Sequence, residues 1–195
     1  PDCVSFGAAA AVDNVKAVEI ILKHQLEEWI AETSTEDIYG GSRINIGKGQ
    51  LGNDGGSYGA WAAKYVQNYG TLVRIKYNNY DLTKYDYGKS SRWGSPGGGV
   101  PEELLDIAKN HTIKTVSLIS TYEEARDALA NGYAVTIASN QGFSNVRDKE
   151  GFAAPAGNWA HQMVLIGVDD IGQGCSKRRP GCLVQNSWGV WNSGP

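Results

Sequence analysis

From Asp2 to about Ile30 apolar side chains recur at helical spacing: Val4, Ala8, Val12, Val15, Val18, Ile21, Leu22, Leu26 and Trp29. The alanine run at the start of this stretch allows neighbours to approach on every side, so its first part is predicted to be a buried helix. A chain of 195 residues, 41% hydrophobic with 6 Trp and 10 Tyr, can enclose such a helix in a single domain.

The remaining pattern changes period along the chain. Ser34-Thr35-Glu36-Asp37 has the form of a capping box for one short helical turn that Gly40-Gly41 ends. A glycine-rich loop, 47–56, follows, and helical spacing resumes from Tyr58 to Tyr69 until Gly70 caps it. Residues 76–100, rich in Tyr, Asn, Gly and Ser, show no sustained period and read as a long surface excursion suited to binding. Val100-Pro101-Glu102-Glu103 opens a helix, residues 115–119 alternate like a strand, and Thr121 with Glu124 begins a helix that Gly132 stops. Apolar runs at 134–138, 161–168 and 182–184 complete the chain as strands, the last two joined as a hairpin. Helices in the first half and strands in the second make an α+β pattern, divided into a mainly helical part of about 1–110 and a mainly β part of about 111–195.

Several function classes are disfavoured. The net charge is −3 and the basic residues are scattered apart from Lys177-Arg178-Arg179, so no nucleic-acid partner is expected. No apolar run reaches the roughly 18 residues that span a bilayer, and the start lacks the pattern of a signal peptide, so no membrane partner is expected. Three cysteines leave the compartment open. Both ends read as cut, and the segment as a fragment or processed form.

Chemistry points to three residues. A thiol reacts as thiolate, which a helix N-terminus and an adjacent imidazolium both favour, and Cys3 opens the first helix. A cysteine at a buried helix start is, by itself, more often a small filler. Of the three histidines, His24 lies inside the first helix and His111 follows the helix near 101–110, where a basic residue simply complements the dipole. His161 heads an apolar strand after a turn, a position from which a rigid scaffold presents a reactive group. Asn186 ends the next strand, so a hairpin brings the two together, and its amide oxygen accepts a ring N–H and fixes the tautomer.

The order of these segments resembles the papain-like cysteine proteases over nearly the whole chain. Cys3-Val4-Ser5-Phe6-Gly7-Ala8 resembles the helix start of that family, Ser34 to Leu51 its following turn and loop, and Asn53-Asp54-Gly55-Gly56 its Cys-Asn-Gly-Gly segment. Asn186-Ser187-Trp188-Gly189 matches the family tetrapeptide letter for letter. The resemblance is to a divergent member of bacterial or phage type, without the Cys-Gly-Ser-Cys-Trp signature. It implies a helical lobe with the nucleophile helix packed on an antiparallel β-sheet or barrel lobe, and a cleft between them. It implies thiol-dependent peptide hydrolysis by Cys3, His161 and Asn186, with no cofactor or metal and a peptide or protein substrate. Gly55 and Gly56 would pair with the substrate backbone, Tyr58 and Trp159 would wall the pocket, and Trp188 would border the leaving-group side. The family's oxyanion Gln falls before Pro1.

Cys175 and Cys182 flank the expected hairpin tip and are a candidate disulfide, with two free thiols as the alternative. A zinc site is disfavoured, because no His lies near them in sequence. Two other functions stay open: a catalytically silent module binding other chains of a larger assembly, and a Cys/His amidase or transglutaminase-like enzyme.

Overall fold

The computed structural model describes residues 2–22, 28–172, 179–189 and 193. Helix α1 (Cys3–Ile21) turns Val4, Ser5, Gly7, Ala8, Ala9 and Val12 inward. Val4, Ala8 and Val12 fall at four-residue intervals on one stripe, with Ser5 and Ala9 beside it, so their small side chains let other elements come close. The helix stops earlier than the apolar period implies. Trp29 and Ile30 lie in irregular chain, 47% and 68% exposed. His24 and Leu26 lie outside the described residues. Asp13 of α1 anchors the returning chain by accepting hydrogen bonds from Thr33 N (3.0 Å) and Thr33 Oγ1 (2.6 Å).

Helix α2 (Glu36–Gly41) is not ended by its glycine pair but runs on into a π-helical turn, Ser42–Ile46. The two glycines serve packing. A Cβ on Gly40 would sit 2.7 Å from Trp93 Cβ, and one on Gly41 would fall inside the Tyr65 ring. The expected capping box is absent as well, since no side chain caps this helix. Its residues instead serve the buried Glu36 carboxylate, which accepts from Ser34 Oγ (3.0 Å) and from Thr35 N (3.1 Å) and meets Arg74 at 3.2 Å. A buried charge persists only with such partners.

Helix α3 (Gly59–Tyr69) ends at Gly70, whose φ of 82° favours glycine. The stretch 76–100 is not a loose excursion. It forms a short hairpin, β1 (Lys76–Tyr77) with β2 (Tyr80–Asp81), then helix α4 (Tyr87–Gly94), capped by Asp86 accepting from Lys89 N. Leu82 and Trp93 enter the same core as Ile38, Tyr65, Leu72 and Leu104. Sparse apolar anchors among polar residues gave no period to detect, yet Leu82, Trp93 and Val100 enter the core, with Tyr77 and Tyr80 packed against it, and bind the segment.

Helix α5 (Glu102–Ala108) begins after Pro101. Residues 115–119 form no strand, and Leu118 is 90% exposed. Helix α6 (Tyr122–Ala130) starts with a complete capping box: Glu124 N donates to Thr121 Oγ1 at 3.2 Å, and the Glu124 carboxylate accepts from Thr121 N at 3.3 Å. A three-stranded antiparallel sheet closes the chain in the order β3 (Val135–Arg147), β4 (Ala153–Asp169), β5 (Gly181–Gln185). β4 pairs with β3 from Ala153 to Leu165, through several bulges, but with β5 only from Val164 onward. Both β3 and β4 are longer than their apolar runs: the added residues are mostly exposed and, in β4, rich in Ala, Gly and Pro, and they are held by backbone pairing with help from the Phe143–Trp159 contact. The centre of β4 packs on α1, and α6 packs on the same strand. The described architecture is thus mixed α+β with antiparallel sheets.

Candidate active site

Cys3 is the first residue of α1 and half-buried, its thiol free. The backbone closes the first turn, since Ser5 N and Phe6 N both donate to Asp2 O, at 3.0 and 3.1 Å. The amides of Cys3 and Val4 therefore point out of the helix end, as the first donors of any helix must. Asp2 is itself buried, and its Oδ2 accepts from Tyr85 Oη at 2.7 Å. Burial, then this carboxylate, raises the Tyr85 phenol above its ordinary value. Tyr85 also meets Phe6 edge-on, 5.1 Å between ring centres. Neither Asp2 nor Tyr85 was recognisable beforehand, because 83 residues separate them.

His161 sits within β4, not at its head, just before the strand gains β5 as a second neighbour. It is 6% exposed. Its Nε2 lies 2.8 Å from Asn186 Oδ1, and that same oxygen accepts from Ser187 N at 2.7 Å. A backbone amide only donates, so the Asn186 atom facing it must be the oxygen, and Nε2 must donate to it. The neutral imidazole then carries its proton on Nε2 and leaves Nδ1 as the basic nitrogen. Two indoles stand beside the imidazole. Trp188 lies 4.3 Å from the imidazole, ring centre to ring centre, and tilted by 32°; Trp159 stands edge-on to both, 5.9 Å from His161 and 4.8 Å from Trp188. Aromatic cover of this sort keeps water from competing for the hydrogen bond.

Gln162 joins the strand of His161 to the helix of Cys3. It is buried, and its Nε2 donates to Val4 O at 3.2 Å. Glycines clear the way for it: a Cβ on Gly7 of α1 would lie 3.0 Å from Gln162 Cγ, and one on Gly59 of α3 would lie 2.6 Å from its Oε1. A sequence signal for this residue did exist. Strand alternation places Gln162 on the face of Val164, and a glutamine on a buried face needs a partner.

Gly55 is exposed and Gly56 half-buried, the latter with φ of 90°. Tyr58, at the start of α3, is exposed and meets Trp61 edge-on at 4.6 Å. A cavity of about 90 Å³ adjoins the loop, lined by Tyr39, Asn53, Asp54, Gly55 and Tyr87 among others; neither Cys3 nor His161 lines it. Cys182 lies on β5, half-buried and with a free thiol, and burial raises its pKa. Cys175 lies outside the described residues. Among the described residues no three His, Cys, Asp or Glu side chains are grouped to hold a metal ion.

The sequence matches no protein-family model, and no curated protein matches it in sequence. In structure it is similar to xylellain, a cysteine protease from Xylella fastidiosa, with a TM-score of 0.56 and 18% identity. The likeness covers 87% of this chain and 63% of that one, so the chain spans less than two thirds of the xylellain chain. What the two share is the fold.

Proposed function

We propose that this chain is a thiol endopeptidase of the papain-like kind. The observation that carries the reading is the bond from His161 Nε2 to Asn186 Oδ1, which directs the basic nitrogen away from Asn186. On this reading the halves of about 1–110 and 111–195 are two lobes, and the substrate lies in a cleft between them. Nδ1 of His161 takes the proton of the Cys3 thiol, and the thiolate sulfur attacks the peptide carbonyl carbon. The carbonyl π pair moves to oxygen, and the free amide of Cys3 at the helix end donates to that oxyanion. Collapse re-forms the carbonyl and breaks the C–N bond, while imidazolium Nδ1 protonates the departing amine. Water, deprotonated by the same nitrogen, then displaces the thiolate from the acyl-enzyme and releases the acid.

The remaining roles follow the same reading. Gly55 and Gly56 pair with the substrate backbone as an added strand, where a side chain would hold the two chains apart. Tyr58 and Trp159 wall the pocket, and Trp188 covers the leaving-group side. The partner is a peptide or protein. Support comes from the fold shared with a cysteine protease and from the environment of His161.

The test is covalent labelling. An epoxysuccinyl peptide should modify Cys3 in protein carrying its native flanking sequence, and Cys3→Ala should abolish both labelling and cleavage of a fluorogenic peptide. Absence of any adduct at Cys3 rejects the peptidase. Digestion of a peptide library beside peptidoglycan distinguishes it from an amidase, since the first should be cut and the second left intact. A stable complex with other chains that survives Cys3→Ala, without turnover, would favour a silent binding module.

A further inference from the structure

Arg43 is a buried cation, 3% exposed, set in the π-helical turn that follows α2. Among the described residues it forms no ion pair. Its guanidinium donates to three backbone carbonyls instead: Nε to Gly94 O at 2.6 Å, Nη1 to Gly56 O, and Nη2 to Gly52 O at 2.9 Å. Two of these acceptors belong to the loop 47–56 and the third to the end of α4. The Tyr39 ring lies 5.3 Å from the guanidinium carbon, a cation–π distance. Room for the side chain is made at Gly94, where a Cβ would stand 2.9 Å from Arg43 Cδ.

Near its far end the loop is also held by a hydrogen bond between the Gly56 backbone and Tyr39 and, one residue on, by Ser57 Oγ, 2.8 Å from Ser42 Oγ. Its internal bonds are single turns, Gly52 N to Gly49 O and Asp54 N to Leu51 O, each 3.0 Å. Its start is fixed by Gly47 N to Ser42 O and Gly49 N to Arg43 O, each 2.9 Å. Lys48, Gly49, Gly52 and Gly56 all have positive φ, so the path is one that an unrestrained chain would seldom hold. A planar fork that donates in fixed directions selects a single path, which a flexible ammonium cannot do.

We propose that Arg43 is a positioning residue that holds the Gly55–Gly56 segment at the height and angle needed to pair with a substrate backbone. This rests on the peptidase reading above. Arg43 touches neither Cys3 nor His161 among the described contacts, so it acts on the peptide through the loop and not on the thiol. Replacing it should therefore separate reagents that need the loop from reagents that need only the sulfur.

The experiment compares two alkylations of Cys3 in the full chain and in Arg43→Lys. Iodoacetamide reads the thiol, and an epoxysuccinyl peptide reads the thiol together with backbone pairing. The expected result is a fall of about tenfold or more in the peptide reagent's rate, with the iodoacetamide rate within about twofold of the parent; tenfold corresponds to about 1.4 kcal/mol of lost pairing. An unchanged ratio of the two rates overturns the assignment of Arg43 and leaves the peptidase intact. No labelling of the unsubstituted chain by either reagent instead rejects the peptidase itself, and with it the substrate role of the loop. Should Arg43→Lys fail to fold, amide hydrogen exchange over 47–57 of the unsubstituted chain decides: slow exchange at Gly52 and Asp54 supports a held loop, and exchange as fast as an open coil overturns it.

Discussion

Asn186, one residue past the end of β5, shares its side-chain oxygen between His161 Nε2 and Ser187 N. Asn186→Ala removes the acceptor and leaves Nε2–H buried beside two indoles. Such a loss costs on the order of 1–3 kcal/mol, so we expect kcat for a peptide substrate to fall by roughly ten- to a hundredfold. Steady-state kinetics with active-site titration checks this, and a variant with parental kcat would remove Asn186 from the chemistry. Gln162→Ala loses the bond to Val4 O and leaves a cavity between α1, α3 and β4. Buried truncations of this size cost about 2–5 kcal/mol, read as a lowered urea midpoint. If Gln162 also sets the separation of thiol and imidazole, kcat should fall even where the variant is fully folded. The sequence made His161 and Asn186 legible because one hairpin joins them. Gln162 announced only that it needed a partner, and Arg43 and Asp2 not even that, because a polar residue's letter does not state which distant group it will meet.

Glycines were the least reliable punctuation between elements. The pair Gly40-Gly41 has the form of a helix stop, yet both lie inside continuous helix because Trp93 and Tyr65 press against them. Gly41→Ala should therefore destabilise strongly, by about 1–3 kcal/mol or more for forced overpacking, although alanine is the better helix former. A calorimetric Tm equal to or above that of the parent would contradict the packing argument. Gly70 and Gly132, by contrast, do end helices, with φ of 82° and 81°. The capping box at Thr121 formed as its letters predict, whereas that at Ser34 did not: the Glu36 carboxylate pairs with Arg74 at 3.2 Å instead. Local motifs succeeded where the segment is exposed and failed where tertiary contacts compete for the same atoms.

The division into helices first and strands second was legible because period is a property of whole segments, and the contacts among segments were not. A consequence for the whole molecule lies in Asp37, fully buried in the helical core with its Oδ1 unpartnered. Burial pushes its carboxyl from 3.8 up to about 7, against the pull of Leu72 N and Ser34. The folded state thus prefers the protonated acid. Its contribution to stability is complete below a pH of about 4 and is lost as the pH rises through about 7, an effect on the order of 4 kcal/mol. Asp37→Asn cannot ionise, so the gap between its urea midpoint and that of the parent should shift in favour of the variant from pH 4 to 8; parallel curves over that range would refute it. Gln162 gives the fold a further property. Because its buried amide bolts the strand of His161 to the first turn of α1, the two elements that carry His161 and Cys3 cannot drift apart while the core stands. On the peptidase reading, activity should then behave as a gauge of folding, with heat-inactivation and unfolding traces that superimpose and no warm interval in which a folded but idle form accumulates.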